Sequence, residues 1–262
     1  MRGLLGYFGR SARETLSHIG GIVLLGWRTA GAAAHLRAPN LPLVWKVVLL
    51  QVRFSGLQAV PLVAGISLVL GAATIFQAFD LLGHLADNYI GGLLFGVVVS
   101  ELGPLTAAVV LIARSGTAMA TELGSMKLNG EIEALQSFCV SPTAFVVFPR
   151  VLGAVLALGG LIVVFDLLGL VGGFGVAMLV MDLSFPVVQE RVLTAMSNGA
   201  LAGSVLKAGL FGSAIALICC HYGLSLRRSP TELPKAVTQA VVWALVSVFL
   251  LDGLVMVAGY LI

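Results

Sequence analysis

Five apolar segments, each about twenty residues or longer, constrain this chain more than any other feature. They lie at about 56–79, 90–115, 145–170, 200–222 and 236–260. A segment of this length crosses a bilayer as an α-helix, because a helix pairs its backbone groups internally. Charged residues make up only 10% of the chain, against roughly 25% in soluble domains. We therefore predict an all-α integral membrane protein whose five-span domain covers residues 56–262.

Residues 1–55 precede the first span and mix basic with apolar side chains. Seven lysine or arginine residues lie in this segment, and it contains no run of 18 uncharged residues. This pattern favours amphipathic helices that lie in the membrane interface over a further span. Pro39 and Pro42 mark a break, after which residues 43–54 are predicted to form a second surface helix.

The polar interval at 122–140, between the second and third spans, is also predicted to contain a short amphipathic helix. The spacing of four apolar residues gives one stripe on that helix: Leu128, Ile132, Leu135 and Cys139. Asn129 is a candidate N-cap. Glu131 and Glu133 follow in the first turn, where the helix dipole favours carboxylates.

The basic residues predict the orientation of the spans. The N-terminal segment carries seven lysine or arginine residues, and the 114–150 connection and the 223–235 turn carry three each. The loops on the other side carry only Arg191. Because basic loops stay on the cytoplasmic side, we expect a cytoplasmic N-terminus, a cytoplasmic 122–140 element and a C-terminus facing outward.

Charged residues within the apolar segments are the candidate functional residues. A charge in mid-bilayer is costly, so such groups usually face protein or water and often carry function. Helix rise places Glu101 and Lys207 at similar depth in the outer half of the membrane, so we predict that they form a pair. Asp166 and Asp252 are competing partners for Lys207. Gln77, a polar residue near a span end, is a further candidate, and the alternative for the whole group is that these residues only fix helix packing.

Motifs for nucleotide hydrolysis and for common enzyme chemistry are absent from the sequence. There is no GxxxxGK[ST] phosphate loop, no HExxH and no GxSxG. We therefore expect a transport subunit that neither hydrolyses ATP nor binds a cofactor or metal of its own. Two hypotheses remain: a permease driven by a separate ATPase, or a secondary transporter that couples ions through Glu101, Lys207 and Asp252.

The stretch from Glu101 to Arg150 resembles the signature region of the MlaE-type (YrbE-like) permeases, the membrane subunits of bacterial lipid-transporting ABC systems. The matching segments are Glu101-Leu102-Gly103-Pro104, Arg114-Ser115-Gly116, Glu122 to Lys127, Glu131 to Leu135, and Pro149-Arg150. The sequence departs from the family pattern at Ser100, where many relatives carry arginine, and at Asn129-Gly130-Glu131 in place of Thr-Glu-Gln.

The resemblance implies a homodimeric permease of the bacterial inner membrane that moves phospholipid or a related lipid. Its implied partners are a cytoplasmic ABC ATPase dimer, which binds ATP and Mg²⁺, and an MCE-domain protein on the outer face, with no nucleic acid. The residues expected to couple to the ATPase are Glu122, Leu123, Gly124, Met126, Lys127, Leu128, Glu131, Ile132 and Leu135. The residues expected at the substrate cavity are Gln77, Glu101, Lys207 and Asp252.

Overall fold

The computed structural model describes residues 17–31, 41–82, 92, 94–180, 198–226 and 229–261. Within these residues the chain is helical and contains no strand. The α-helices are α1 (17–31), α2 (Leu41–Ser55), α3 (Val60–Leu82), α4 (Gly103–Leu111), α5 (Thr117–Leu128), α6 (Glu131–Ser137), α7 (Phe148–Val180), α8 (Asn198–Leu224) and α9 (Leu233–Leu261). Wider π-helical turns occupy Leu94–Leu102, Ile112–Gly116 and Thr143–Val147.

Five helical segments within the described residues are long and apolar enough to cross a membrane, which confirms the predicted fold class. They are Val44–Leu81, Phe95–Leu128, Thr143–Leu179, Gly203–Leu224 and Pro230–Gly259. The third is longer than the predicted 145–170, because α7 continues to Val180. The first merges α2 with α3, but a turn at Gly56 separates the two helices. The 23 residues of α3 alone extend about 35 Å, enough to span the hydrocarbon core.

Helices α7 and α8 form the centre of the bundle. Helix α7 packs against α2, α3, α4 and α8, and α8 packs in turn against α5 and α9. The largest fully buried side chains include Leu158, Leu161 and Phe165 of α7 and Phe211 of α8. Many apolar side chains elsewhere are exposed on the outer surface, as expected where lipid rather than water surrounds the protein.

Glycines allow α3 and α7 to approach at backbone contact. A Cβ on Gly71 would lie 2.0 Å from the Gly169 carbonyl oxygen, and one on Gly172 would lie 2.4 Å from the Leu68 carbonyl oxygen. Both distances are too short for any side chain. Small residues at such crossings are typical of helices packed in lipid, where van der Waals contact replaces the hydrophobic effect as the driving force.

The predicted N-terminal helix is present as α1 and rests on the last turns of α8. His18 Nδ1 lies 3.2 Å from His221 Nε2, and the His18 ring stacks on Tyr222 with 5.1 Å between centroids. The opposite face of α1 leaves Val23 and Trp27 exposed. The predicted second surface helix is α2, whose Val44 and Val48 are buried. Residues 1–16 and 32–40 lie outside the described part of the chain.

Candidate functional site

Lys207 is the centre of a buried ionic cluster between three spans. Its ammonium lies 2.9 Å from Glu101 Oε2, 2.8 Å from Asp252 Oδ1 and 2.7 Å from the Ser100 carbonyl oxygen. The Asp252 contact is an ion pair whose direction falls outside hydrogen-bond geometry. The Lys207 side chain is only 5% exposed, that of Asp252 11% and that of Glu101 33%. The predicted pair is therefore part of a triad, and Asp252 joins Glu101 instead of competing with it.

Pro104 explains why the Ser100 carbonyl can accept from Lys207. In an α-helix the amide of residue 104 would donate to the carbonyl of residue 100, four positions earlier, but proline has no amide hydrogen. The π-helical turn of Leu94–Leu102 ends just before this position, and such turns recur at functional sites. The structure retains a helical path through Gly103-Pro104 and satisfies the Ser100 carbonyl with a lysine from another span.

The cluster lies on the wall of an open cleft of about 540 Å³. Apart from the cluster the wall consists mainly of small and apolar residues. The lining residues are Gly96, Val97, Ser100, Glu101, Gly203, Ser204, Lys207, Val255, Met256 and Gly259. This composition, an apolar wall with a few convergent polar groups, is typical of a ligand site.

Gln77 and Asp166, which the sequence offered as candidate functional residues, lie outside this cluster. Gln77 is exposed on α3 and does not line the cleft, so its predicted place at the cavity is not supported by this subunit alone. Asp166 lines a separate, mostly apolar cavity of about 420 Å³ between α7 and α8. Its Oδ1 is buried without a hydrogen-bond partner among the described residues. A Cβ on Gly103 would lie 2.6 Å from that oxygen, so Asp166 packs on the second span below the cluster's own residues.

At the opposite end of the second span, the 122–140 interval forms two helices where one was predicted. Gly130 adopts φ +75°, in the left-handed region that favours glycine, and this turn separates α5 from α6. Asn129 therefore caps the C-terminus of α5, its amide donating to the Ser125 carbonyl at 2.9 Å, and is not the N-cap of α6. Leu128 belongs to α5, so the predicted stripe does not lie on a single helix.

Most of the apolar residues of this element face the protein. Ile132 and Leu123 are buried. Leu135 and Met126 pack on the cluster of Leu123, Val146, Val147 and Cys220. A Cβ on Gly124 would lie 2.4 Å from a methyl of Leu233 and 2.7 Å from a methyl of Leu226, so these side chains pack directly on the glycine. Cys139, predicted to end the stripe, is exposed.

Polar contacts fix this element to the spans. Arg150 on α7 is buried and lies 2.9 Å from Glu122, and it also donates to the Val146 carbonyl at 2.8 Å. Lys127 pairs with Glu133 across the turn. Asn129 donates to Glu131 at 3.2 Å.

Sequence reasoning assigned no role to three residues that the structure makes prominent. Arg150 ties α5 to α7. Arg114 donates to both the backbone carbonyl and the side-chain oxygen of Gln58, which holds the second span to the start of the first. Phe138 is 80% exposed at the end of α6, where Cys139 adopts φ +58°. The sequence did contain a signal for Phe138, because it is an aromatic residue that lies off the predicted apolar stripe.

Comparison with known proteins gives consistent matches. A family model described as "Permease MlaE" matches residues 48–258. A "Probable ABC transporter permease protein" of Rickettsia felis is 26% identical over 84% of this chain and 83% of its own length. The chloroplastic "Protein TRIGALACTOSYLDIACYLGLYCEROL 1" of Arabidopsis thaliana is 26% identical over 79% of this chain and 60% of its own. The "Intermembrane phospholipid transport system permease protein MlaE" of Haemophilus influenzae is 26% identical over 90% of this chain and 94% of its own.

Proposed function

The chain belongs to the MlaE permease family, and we propose that it is the membrane subunit of an ABC transporter that moves phospholipid or a related lipid. In this proposal a separate cytoplasmic ATPase binds ATP and Mg²⁺ and drives the cycle. An MCE-domain protein on the outer face exchanges the lipid with the permease. The name of the Haemophilus influenzae relative, a phospholipid transport permease, supports the class of substrate.

The observation that carries the proposal is the triad of Lys207, Glu101 and Asp252 at the edge of an open cleft within apolar spans. A lipid needs such a combination: an apolar wall for its acyl chains and a polar group for its head. Ionisable groups at this depth are costly unless they serve a pathway or a packing role. Glu101 retains one third of its side-chain exposure, so the cluster is accessible from the cleft.

We propose that two copies assemble with their clefts facing a common cavity. Helix α9 borders the cleft through Val255, Met256 and Gly259, and its outer face exposes Phe249, Leu250, Leu254 and Val257. Because the open cleft lies beside an exposed apolar face, a second subunit placed there would cover the face and close the cavity.

We further propose that the ATPase contacts the exposed side of α6 rather than the apolar stripe. Glu131, Ala134 and Gln136 are exposed on this helix, and Phe138 projects at its end. Because Glu122 and Arg150 join this element to α7, and α5 packs on α8, a displacement of α6 would be transmitted to the spans that hold Glu101 and Lys207.

The orientation, with this element and the N-terminus in the cytoplasm, is part of the proposal. A cysteine introduced at Gly31, the exposed last residue of α1, should react only with reagents that reach the cytoplasm. A second cysteine at Ser229, in the basic turn before α9, should behave in the same way. Labelling of either site by an impermeant reagent in intact cells would contradict the orientation.

Reconstitution tests the function directly. The permease, purified with its ATPase and placed in vesicles with the MCE-domain protein, should move fluorescent phospholipid only when ATP is hydrolysed. Glu101→Gln should reduce lipid movement while the ATPase stays bound, whereas Glu232→Gln, at an exposed turn outside the cleft, serves as the matched control. Movement driven by an ion gradient without ATP would favour the secondary-transporter hypothesis instead.

A further inference from the structure

The donor count of Lys207 constrains the kind of lipid head that the cleft accepts. A lysine ammonium has three N–H donors and no acceptor. Three oxygens already surround Lys207: the Ser100 carbonyl and Glu101 Oε2 accept hydrogen bonds from it, and Asp252 Oδ1 forms an ion pair with it at 2.8 Å. Building on the proposed lipid transport, we propose that the cleft selects lipids whose head carries an ammonium donor, such as a phosphoethanolamine, over lipids with an acidic head.

The hydrogen bond to Ser100 shows that Lys207 already has a structural role within the protein. Because Pro104 cannot donate to the Ser100 carbonyl, this oxygen needs a donor from another element. Lys207 supplies it at 2.7 Å. The Lys207 side chain is 5% exposed and its ammonium is in contact with three oxygens, so a lipid phosphate could reach it only by displacing one of them. A buried polar or charged group left without its partner destabilises the protein.

The charge balance of the cluster points in the same direction. Lys207 contributes one positive charge, whereas Glu101 and Asp252 contribute two negative charges in their ionised form. Among the described residues that line the cleft, Glu101 and Lys207 are the charged ones. The two charges on the wall balance, and Asp252, which does not line the cleft, gives the cluster as a whole a net negative charge. This charge repels an anionic head and attracts a cationic one.

Glu101 supplies the atom that would receive the ammonium. Its Oε2 accepts the hydrogen bond from Lys207, and Oε1 is the carboxylate oxygen outside that bond. The side chain is 33% exposed and lines the cleft. A carboxylate oxygen is an acceptor only and forms its strongest hydrogen bonds with charged donors. A head group with an ammonium fits this oxygen, and its phosphate then points away from the cluster.

Competition in a defined bilayer tests the proposal. The permease with its co-purifying partners is placed in nanodiscs of equimolar phosphatidylethanolamine, phosphatidylglycerol and phosphatidic acid with identical acyl chains. It is then extracted in mild detergent, and the retained lipids are quantified by mass spectrometry. Retained phosphatidylethanolamine should exceed each acidic lipid by roughly fivefold, the factor expected for one charge pair at a partly exposed site.

Two variants test whether the head-group preference depends on Glu101. Glu101→Gln keeps the shape of the side chain but removes the charge, so the retained lipids should approach the composition of the nanodisc. Glu232→Gln removes the same charge outside the cleft and should keep the fivefold preference. Loss of the preference in both variants, or in neither, would contradict the assignment to Glu101.

The wild-type measurement decides the proposal even if Glu101→Gln does not fold. Equal retention of the three lipids, or enrichment of either acidic lipid, would overturn the head-group preference while leaving lipid transport intact. Retention of no lipid, together with no ATP-dependent lipid movement in the reconstituted vesicles, would overturn the proposed function itself.

Discussion

Ion pairs lie at both ends of the second span. The pairs differ in burial, and therefore in whether the remaining charge is hydrated when its partner is removed. At one end, Lys207 is almost completely buried and lies between two carboxylates and a backbone carbonyl. At the other, Lys127 and Glu133 pair while retaining 29% and 44% side-chain exposure. The Arg150–Glu122 pair is intermediate, with one partner buried and the other 60% exposed.

The difference in burial predicts how much stability is lost when each ion pair is broken. A buried charge that loses its partner cannot recover its hydration, so the loss is large. An exposed charge that loses its partner is rehydrated, and most such pairs contribute little. The same residue types at the two ends of one span should therefore respond very differently to substitution.

Lys207→Met should have the largest effect on stability. It leaves Glu101 and Asp252 without their cationic partner and the Ser100 carbonyl without its donor, and breaking a buried ion pair typically costs about 3–5 kcal/mol. The free energy of unfolding in nanodiscs measures the loss. Lys207→Met combined with Asp252→Asn should recover part of it, because one uncompensated charge is removed. Lys235→Met, at an exposed position near the start of α9, is the control, and an equal effect of the two lysine substitutions would contradict the comparison.

Arg150→Met should have an intermediate effect of about 1–2 kcal/mol, since it removes a buried hydrogen bond to the Val146 carbonyl as well as the pair with Glu122. Glu122→Gln should cost less, because the glutamate is mostly solvated. Unfolding of the two variants under the same conditions gives the comparison. A larger loss for Glu122→Gln than for Arg150→Met would show that burial does not control the strength of this pair.

Lys127→Met should cost less than about 1 kcal/mol, the usual range for an exposed pair. The wild-type contribution should also decrease with added salt, because solvent-exposed charges are screened. Unfolding measured at low and high ionic strength checks both expectations. A loss as large as that of Lys207→Met would mean that the pair is buried by a partner in the assembled transporter.

Phe138→Ser should have almost no effect on the stability of the isolated permease, because this side chain is 80% exposed. If the ATPase binds the exposed side of α6, the same substitution should lower ATPase recovery in affinity purification. Leu135→Asp provides the contrast, since Leu135 packs inside the protein and its replacement should destabilise the permease itself. Wild-type recovery of the ATPase with Phe138→Ser would exclude Phe138 from the docking surface.

The sequence by itself determined the helical class, the five spans and the presence of a short helix between the second and third of them. Hydropathy and charge are local properties of the chain, and the bilayer converts them directly into spans because an unpaired backbone is not tolerated in lipid. The residues that carry the candidate site were also visible, since Glu101, Lys207 and Asp252 interrupt apolar runs.

Only the tertiary structure decided which of these residues meet. Depth along a helix can be counted from the sequence, but the rotation of each helix about its axis is set by packing, such as the glycine contacts between α3 and α7. That rotation brings Asp252 to Lys207 together with Glu101, and leaves Asp166 and Gln77 elsewhere. In the same way, Ile132 is buried and Leu135 packs on the protein, because a one-dimensional pattern identifies an apolar face without identifying what covers it.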